Sequence, residues 1–174
     1  ADSRIISLAS QAHRFGWIKL DDLNLTKFYD RRLAYGQSKA ACLMFAFELN
    51  RRLQANGLST KSVAAHPGAS NTELSRHLPG FMAALAPYVA QAPDRGALPT
   101  LYAALGHDIN GGDYVGPNGF FEMAGEPVKV GSTRRARDTR VAAELFEKSE
   151  EMKLFNNTCI TDNILLFILG ILLV

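Results

Sequence analysis

Three consecutive stretches fix the fold class. "RIISLA", Arg4 to Ala9, is a short apolar, β-rich run. "RRLAYGQSKAACLMFAFELNRRLQANG" is helical, and its middle, Ala40 to Phe47, is apolar on nearly all sides. That is the pattern of a helix covered on two faces. Asn56-Gly57 supplies its stop. "STKSVAAHPG" is a second β-rich run, closed by Pro67 and Gly68. Strand, helix and strand at this spacing predict a βαβ unit, hence parallel strands and a right-handed crossover. The expectation is an α/β fold built on a partial Rossmann-like parallel sheet with flanking helices.

The segments around this unit are less regular. Ser10 to Thr26 reads as a loop. "ASNTELSRHLPGFMAALAPYVAQ" reads as a loop leading into a short apolar helix. "PDRGALPTLYAALGHD" reads as a helix starting near Pro93, which Pro99 should kink or shorten. "GGDYVGPNGFFEM" reads as a brief strand with turns. "DTRVAAELFEKSEEMKLF" is amphipathic, with Asp138 as N-cap and Val141, Ala142, Leu145, Phe146 and Met152 on one face. One domain is expected over residues 1–152, followed by an atypical apolar tail over residues 153–174. Nothing from Ile164 to Val174 is polar. As a helix that run would span about 16 Å, against ~30 Å of bilayer hydrocarbon. The start reads as that of a truncated chain, and the end as abnormal or truncated.

Composition narrows the function. Hydrophobic residues make up 47% and charged residues 21%, with a net charge of +2, so nucleic acid is not an expected partner. Arg134, Arg135, Arg137 and Arg140 read as a solvated approach to a helix. Cys42 and Cys159 form no Cys-x-x-Cys pair, which favours a reduced, cytoplasmic setting. The histidines His13, His66, His77 and His107 show no ligand spacing, so no metal is expected. Asn156-Asn157-Thr158 fits a glycosylation acceptor, relevant only in a secretory compartment.

"AYGQSKA" carries the chemistry. Tyr35 and Lys39 lie one helical turn apart on the same face. A free tyrosine has a pKa of about 10 and is a poor base near neutrality. A lysine cation about 5 Å away, at an effective dielectric near 20, favours phenolate by roughly 3 kcal/mol, about two pKa units. Tyr35 is thereby a candidate general acid/base. The small residues between the pair leave room for a close approach of another group.

In these residues the chain resembles the short-chain dehydrogenase/reductase family, over roughly Arg4 to Glu150. Tyr35-Gly36-Gln37-Ser38-Lys39 matches the family's Tyr-x-x-x-Lys motif at the start of a long helix. "RIISLASQAH" is similar to the strand bearing the catalytic serine, with Ser10 at the matching position of the retinol-dehydrogenase-like branch. "HPGASNTEL" is similar to the Pro-Gly loop after the next strand, and "GPNGFFEMAGEPVKV" to that branch's C-terminal portion. The resemblance implies hydride transfer between an alcohol or carbonyl carbon and NAD or NADP. Ser10, Tyr35 and Lys39 would be catalytic. Tyr35, Lys39, Pro67, Gly68 and Thr72 would contact the cofactor. It implies a small alcohol or carbonyl substrate, with a hint of lipophilic ones. The Gly-rich phosphate loop and the Asn-Asn-Ala-Gly motif are absent from the sequence, so it matches the C-terminal half of the fold. The strand before Arg4 would then be missing, leaving an unpaired apolar edge prone to homo-oligomer formation.

Two other classes compete. "GQSKA" is one residue short of Gly-x-Ser-x-Gly, making Ser38 a candidate hydrolase nucleophile, but that elbow needs a strand directly before it. The other is a catalytically inactive interaction or membrane-tethered protein that reuses a dehydrogenase half, which the apolar tail supports.

Overall fold

The structure is a computed structural model that describes residues 3–69, 92–156 and 171–173. The expected βαβ unit is present. Strand β1, Arg4–Leu8, leads through a loop with a 3-10 turn at Gln11–Arg14 into helix α1, Arg31–Ala55. Strand β2, Lys61–Ala65, returns parallel to β1, pairing Ile6 with Val63 and Leu8 with Ala65. Asp30 caps α1, its Oδ1 accepting from the amides of Arg32 and Leu33. Asn56 and Gly57 end the helix, Gly57 in the left-handed region at φ +67°.

Helix α2, Pro93–Leu105, precedes strand β3, Tyr114–Pro117, which pairs parallel to β2. Strand β4, Pro127–Lys129, folds back antiparallel on β3. Helix α3, Thr139–Asn156, follows a 3-10 turn at Arg135–Arg137. Strand β5, Ile171–Leu173, runs antiparallel to β1. The sheet order is β4-β3-β2-β1-β5.

Alternating strand residues feed two cores, one on each face. On one face Ala64 and Tyr114 meet Leu43, Met44 and Ala46 of α1 and Ala142 and Leu145 of α3. On the other, Ile6, Val63, Ala65 and Val115 meet Ala103 of α2 and Ile109. Burial of α1 between the sheet and α3 accounts for its nearly all-round apolar middle. Asp138 caps α3 as expected, accepting from the amides of Arg140 and Val141. Phe146 stacks on Phe45 at 5.1 Å between ring centres. Arg134, Arg135, Arg137 and Arg140 are all exposed, with Arg135 lying over Trp17 and Arg137 over Phe47.

Three expectations need correction. Helix α2 continues past Pro99 to Leu105, so the proline, whose ring is buried, does not confine it to a shorter segment. Packing of α2 on the sheet, together with buried Arg4 donating to the Ala103 and Ala104 carbonyls at the helix's C-terminal end, outweighs the lost hydrogen bond. Strand β4 was not expected at all. The outer edge of β1 is not unpaired, because β5 from the apolar tail lies along it. The helix read after residue 70, Thr72, Cys159 and Asn157-Thr158 lie outside the described residues. Among the described residues, no helix is long and apolar enough to cross a membrane.

Removing residues 171–174 strips β1 of its outer backbone partner, so the shortened chain should self-associate more than the parent. Sedimentation velocity on both at matched concentration checks this; two identical monomer profiles would contradict it.

Candidate active site

The sequence-predicted residues that the structure describes gather at one end of the sheet, beyond the carboxyl ends of β1 and β2. Ser10 follows β1 by two residues and caps the 3-10 turn, its Oγ accepting from the Ala12 amide at 3.2 Å. Lys39 reaches back from α1 to the same strand end, where Nζ donates to the Leu8 carbonyl at 3.2 Å. That ammonium stands 5.9 Å from the centre of the Tyr35 ring. Tyr35, Lys39 and Ser10 are half-buried. Pro67 and Gly68 follow β2 after one intervening residue, His66.

Gly36 explains the small residues between Tyr35 and Lys39. A Cβ at position 16 would lie 2.1 Å from the Gly36 carbonyl oxygen, and one at position 36 would lie 3.2 Å from the Ala12 carbonyl oxygen. The backbone of α1 thus rests directly on the turn that follows Ser10. The close approach is made by protein backbone. Ser38 spends its hydroxyl on the Tyr35 carbonyl at 2.9 Å, inside a helix that began at Arg31. No strand leads into it, so the geometry of a hydrolase elbow is lacking.

A buried polar cluster that the sequence did not reveal lies beside these residues. His13 is buried, and its Nδ1 donates to the Ser10 carbonyl at 2.8 Å. Its ring meets Tyr114 edge-on at 5.5 Å. His66 is fully buried between β2 and the Pro67-Gly68 turn. Gly68 sits at φ +72°, and a Cβ there would meet the Met123 carbonyl oxygen at 2.4 Å, so position 68 excludes side chains twice over. The Gly68 amide donates to His66 Nδ1 at 3.2 Å, which leaves the ring proton on Nε2. That proton goes to Glu122 Oε2 at 3.0 Å. Burial lowers the His66 pKa to about 4, against the opposing pull of Glu122. Burial also lowers that of His13 and raises the phenol of Tyr114. Each of these residues is isolated in sequence, and only the "HP" of "HPG" hinted at a site. Among the described residues, no group of three or more His, Cys, Asp or Glu could hold a metal ion.

The chain is similar to known proteins over most of its length. It is 37% identical to mouse (Mus musculus) retinol dehydrogenase 13 over 165 residues, covering 87% of this chain and 46% of that protein. It is 41% identical to human (Homo sapiens) retinol dehydrogenase 11 over 107 residues, covering 60% of this chain and 33% of that one. A crystal structure of an uncharacterized protein from Mycobacterium paratuberculosis superposes with a TM-score of 0.67 at 41% identity, covering 85% of this chain and 49% of that one. No family model matches the chain. The chain thus spans about half the length of the solved structure and less than half of these curated relatives. These likenesses bear out the resemblance to the short-chain dehydrogenase/reductase family in its retinol-dehydrogenase-like branch.

Two outcomes follow from this packing. Gly16→Ala forces a side chain onto the Gly36 carbonyl and should destabilise the fold by about 1–3 kcal/mol in urea melts; an unchanged midpoint would contradict the contact. The second concerns pH. Folded His66 takes up its proton near pH 4, whereas the unfolded chain does so at about 6.5. Between those values the unfolded chain binds more protons. The His66 contribution is therefore complete above about pH 6.5 and falls by on the order of 3 kcal/mol as the pH drops to 4. His66→Asn, whose amide oxygen can replace Nδ1, should flatten that part of the stability–pH curve. Parallel curves for parent and variant would contradict it.

Proposed function

We propose that this chain carries the proton-transfer and nicotinamide end of an NAD(P)-dependent oxidoreductase of the short-chain dehydrogenase/reductase type, acting on a small lipophilic alcohol or its carbonyl partner. The observation that carries the reading is the convergence of Ser10, Tyr35, Lys39 and the Pro67-Gly68 turn at the carboxyl ends of two parallel strands. In open α/β sheets that is where ligands bind. The relatives are retinol dehydrogenases by name, which supports the reaction type and the lipophilic substrate.

The residues fit one end of a dinucleotide. Tyr35, Lys39, Pro67, Gly68 and Thr72 would hold its nicotinamide half, which supplies a hydride acceptor or donor when bound. For the phosphates the fit fails among the described residues. Helices α1 and α3 are opened by the carboxylates Asp30 and Asp138, and α2 by Pro93, which has no amide proton. A helix start that welcomes phosphate needs free amides and no nearby negative charge.

Tyr35 would lend its Oη proton to a carbonyl oxygen, or take the proton of an alcohol. Lys39, anchored on Leu8 in this structure, supplies positive charge beside the phenol. Ser10 would orient the substrate oxygen, giving up its present acceptance from Ala12 or sharing it. The buried Cys42 thiol suits a reducing, cytoplasmic setting, and the apolar tail supports membrane contact without a span in the described residues.

The test joins residues 1–174 behind the preceding half of a retinol dehydrogenase and assays retinol and other lipophilic alcohols with NAD and NADP. Turnover is expected, and Tyr35→Phe should lower kcat about 10²–10⁴-fold with little change in melting temperature. A variant that folds and turns over like its parent would overturn the role given to Tyr35, and a chimera that folds without turnover would favour a non-enzymatic role.

A further inference from the structure

We propose that Glu122 is a positioning residue whose single carboxylate locks the Ser10 turn and the Pro67-Gly68 turn into one rigid frame. The proposal rests on the reading of those two turns as parts of the active site. Three donors from two separate chain segments converge on this carboxylate. Oε1 accepts from Arg14 at 2.9 Å. Oε2 accepts from the Gln11 amide and, at 3.0 Å, from His66 Nε2. Gln11 and Arg14 belong to the 3-10 turn that Ser10 caps, and Arg14 Nε also donates to Gln11 Oε1. His66 hands the connection on through Nδ1, which accepts from the Gly68 amide. The chain of contacts therefore runs from the serine's turn through Glu122 and His66 to Gly68.

The carboxylate is needed as a charge and as a double acceptor. Gln11 Nε2 and His66 Nε2 stand 3.4 Å apart, and both present protons. Without an acceptor shared between them, two donors would crowd each other in a buried place. Backbone strain marks the same residue. Phe121 and Glu122 both lie in the left-handed region, at φ 48° and 55°. Side-chain-bearing residues hold such a conformation only where their surroundings enforce it, and such positions cluster at functional sites. The neighbouring Met123 carbonyl accepts from the Ala69 amide at 2.7 Å, so the loop grips the second turn through its backbone as well. Gly116 leaves the space for the His66 ring, because a Cβ there would lie 2.0 Å from Nε2.

The experiment is hydrogen exchange and histidine NMR on the 174-residue chain, as parent, Glu122→Ala and Glu122→Gln. Neither readout depends on turnover, so a failed frame and a failed oxidoreductase reading can be told apart. In Glu122→Ala the amides of His13, Phe15 and Gly16 and those of Gly68 and Ala69 should exchange at least about ten-fold faster, while those of Ile6 and Val63 stay protected. Glu122→Gln keeps an acceptor oxygen and should restore part of that protection. His66 gives the second signature. It faces Glu122, His13, Arg14 and Tyr114, and loss of the Glu122 charge should move its protonation midpoint further down from about 4. General loosening would move it up toward the ordinary value. Faster exchange confined to residues 118–126, or an unchanged His66 in Glu122→Gln, would overturn the proposal. If Glu122→Ala does not fold, Glu122→Gln decides by the same two readouts.

Discussion

Gly16 and Gly36 touch through their backbones, and the arrangement of the candidate site depends on that contact. A Cβ at position 16 would fall 2.1 Å from the Gly36 carbonyl oxygen. With no side chain on either, α1 settles onto the turn that Ser10 caps. This brings Tyr35 and Lys39, on either side of Gly36, to the end of β1. Lys39 then finds the Leu8 carbonyl, and Ser10 stands two residues further along. The spacing of the tyrosine and lysine is a property of one helix. Their placement against the serine is a property of two glycines.

The second constraint is the polar core under the site. His13 braces Ser10 through its carbonyl, and His66 braces Gly68 through its amide. Both rings are buried and neutral near pH 7, held below the ordinary histidine range mainly by loss of water. Neutral imidazoles can each donate at one nitrogen and accept at the other, which suits them to join a carbonyl, an amide and a carboxylate in tight quarters.

Much of the fold was legible because its signals are local. The apolar middle of α1, its Asn56-Gly57 stop and the Asp138 cap of α3 each lie within a few consecutive residues. The Pro67-Gly68 stop of β2 is equally local. Strand β4 was missed because three residues, Pro127–Lys129, carry no period, and their assignment comes from pairing with β3. The pairing of β5 with β1 joins residues more than 160 positions apart, and nothing near Ile171 announces it. Pro99 misled because local propensity yielded to packing. The motif residues Ser10, Tyr35, Lys39, Pro67 and Gly68 were readable through resemblance. Glu122 was not, since its meaning depends on Gln11, Arg14 and His66 arriving from distant segments. Thr72 lies outside the described residues.

The central claim is that the ends of β1 and β2 form a nicotinamide-side site even where no phosphate loop accompanies it. Nicotinamide mononucleotide probes that half alone, because it lacks the adenosine end. Titrating its reduced form into the isotopically labelled 174-residue chain and following backbone amide shifts is the direct measurement. The account predicts saturable shifts centred on Ser10, Tyr35, Lys39 and Gly68, abolished by Lys39→Met. Shifts centred elsewhere, or none at tens of millimolar, would contradict it.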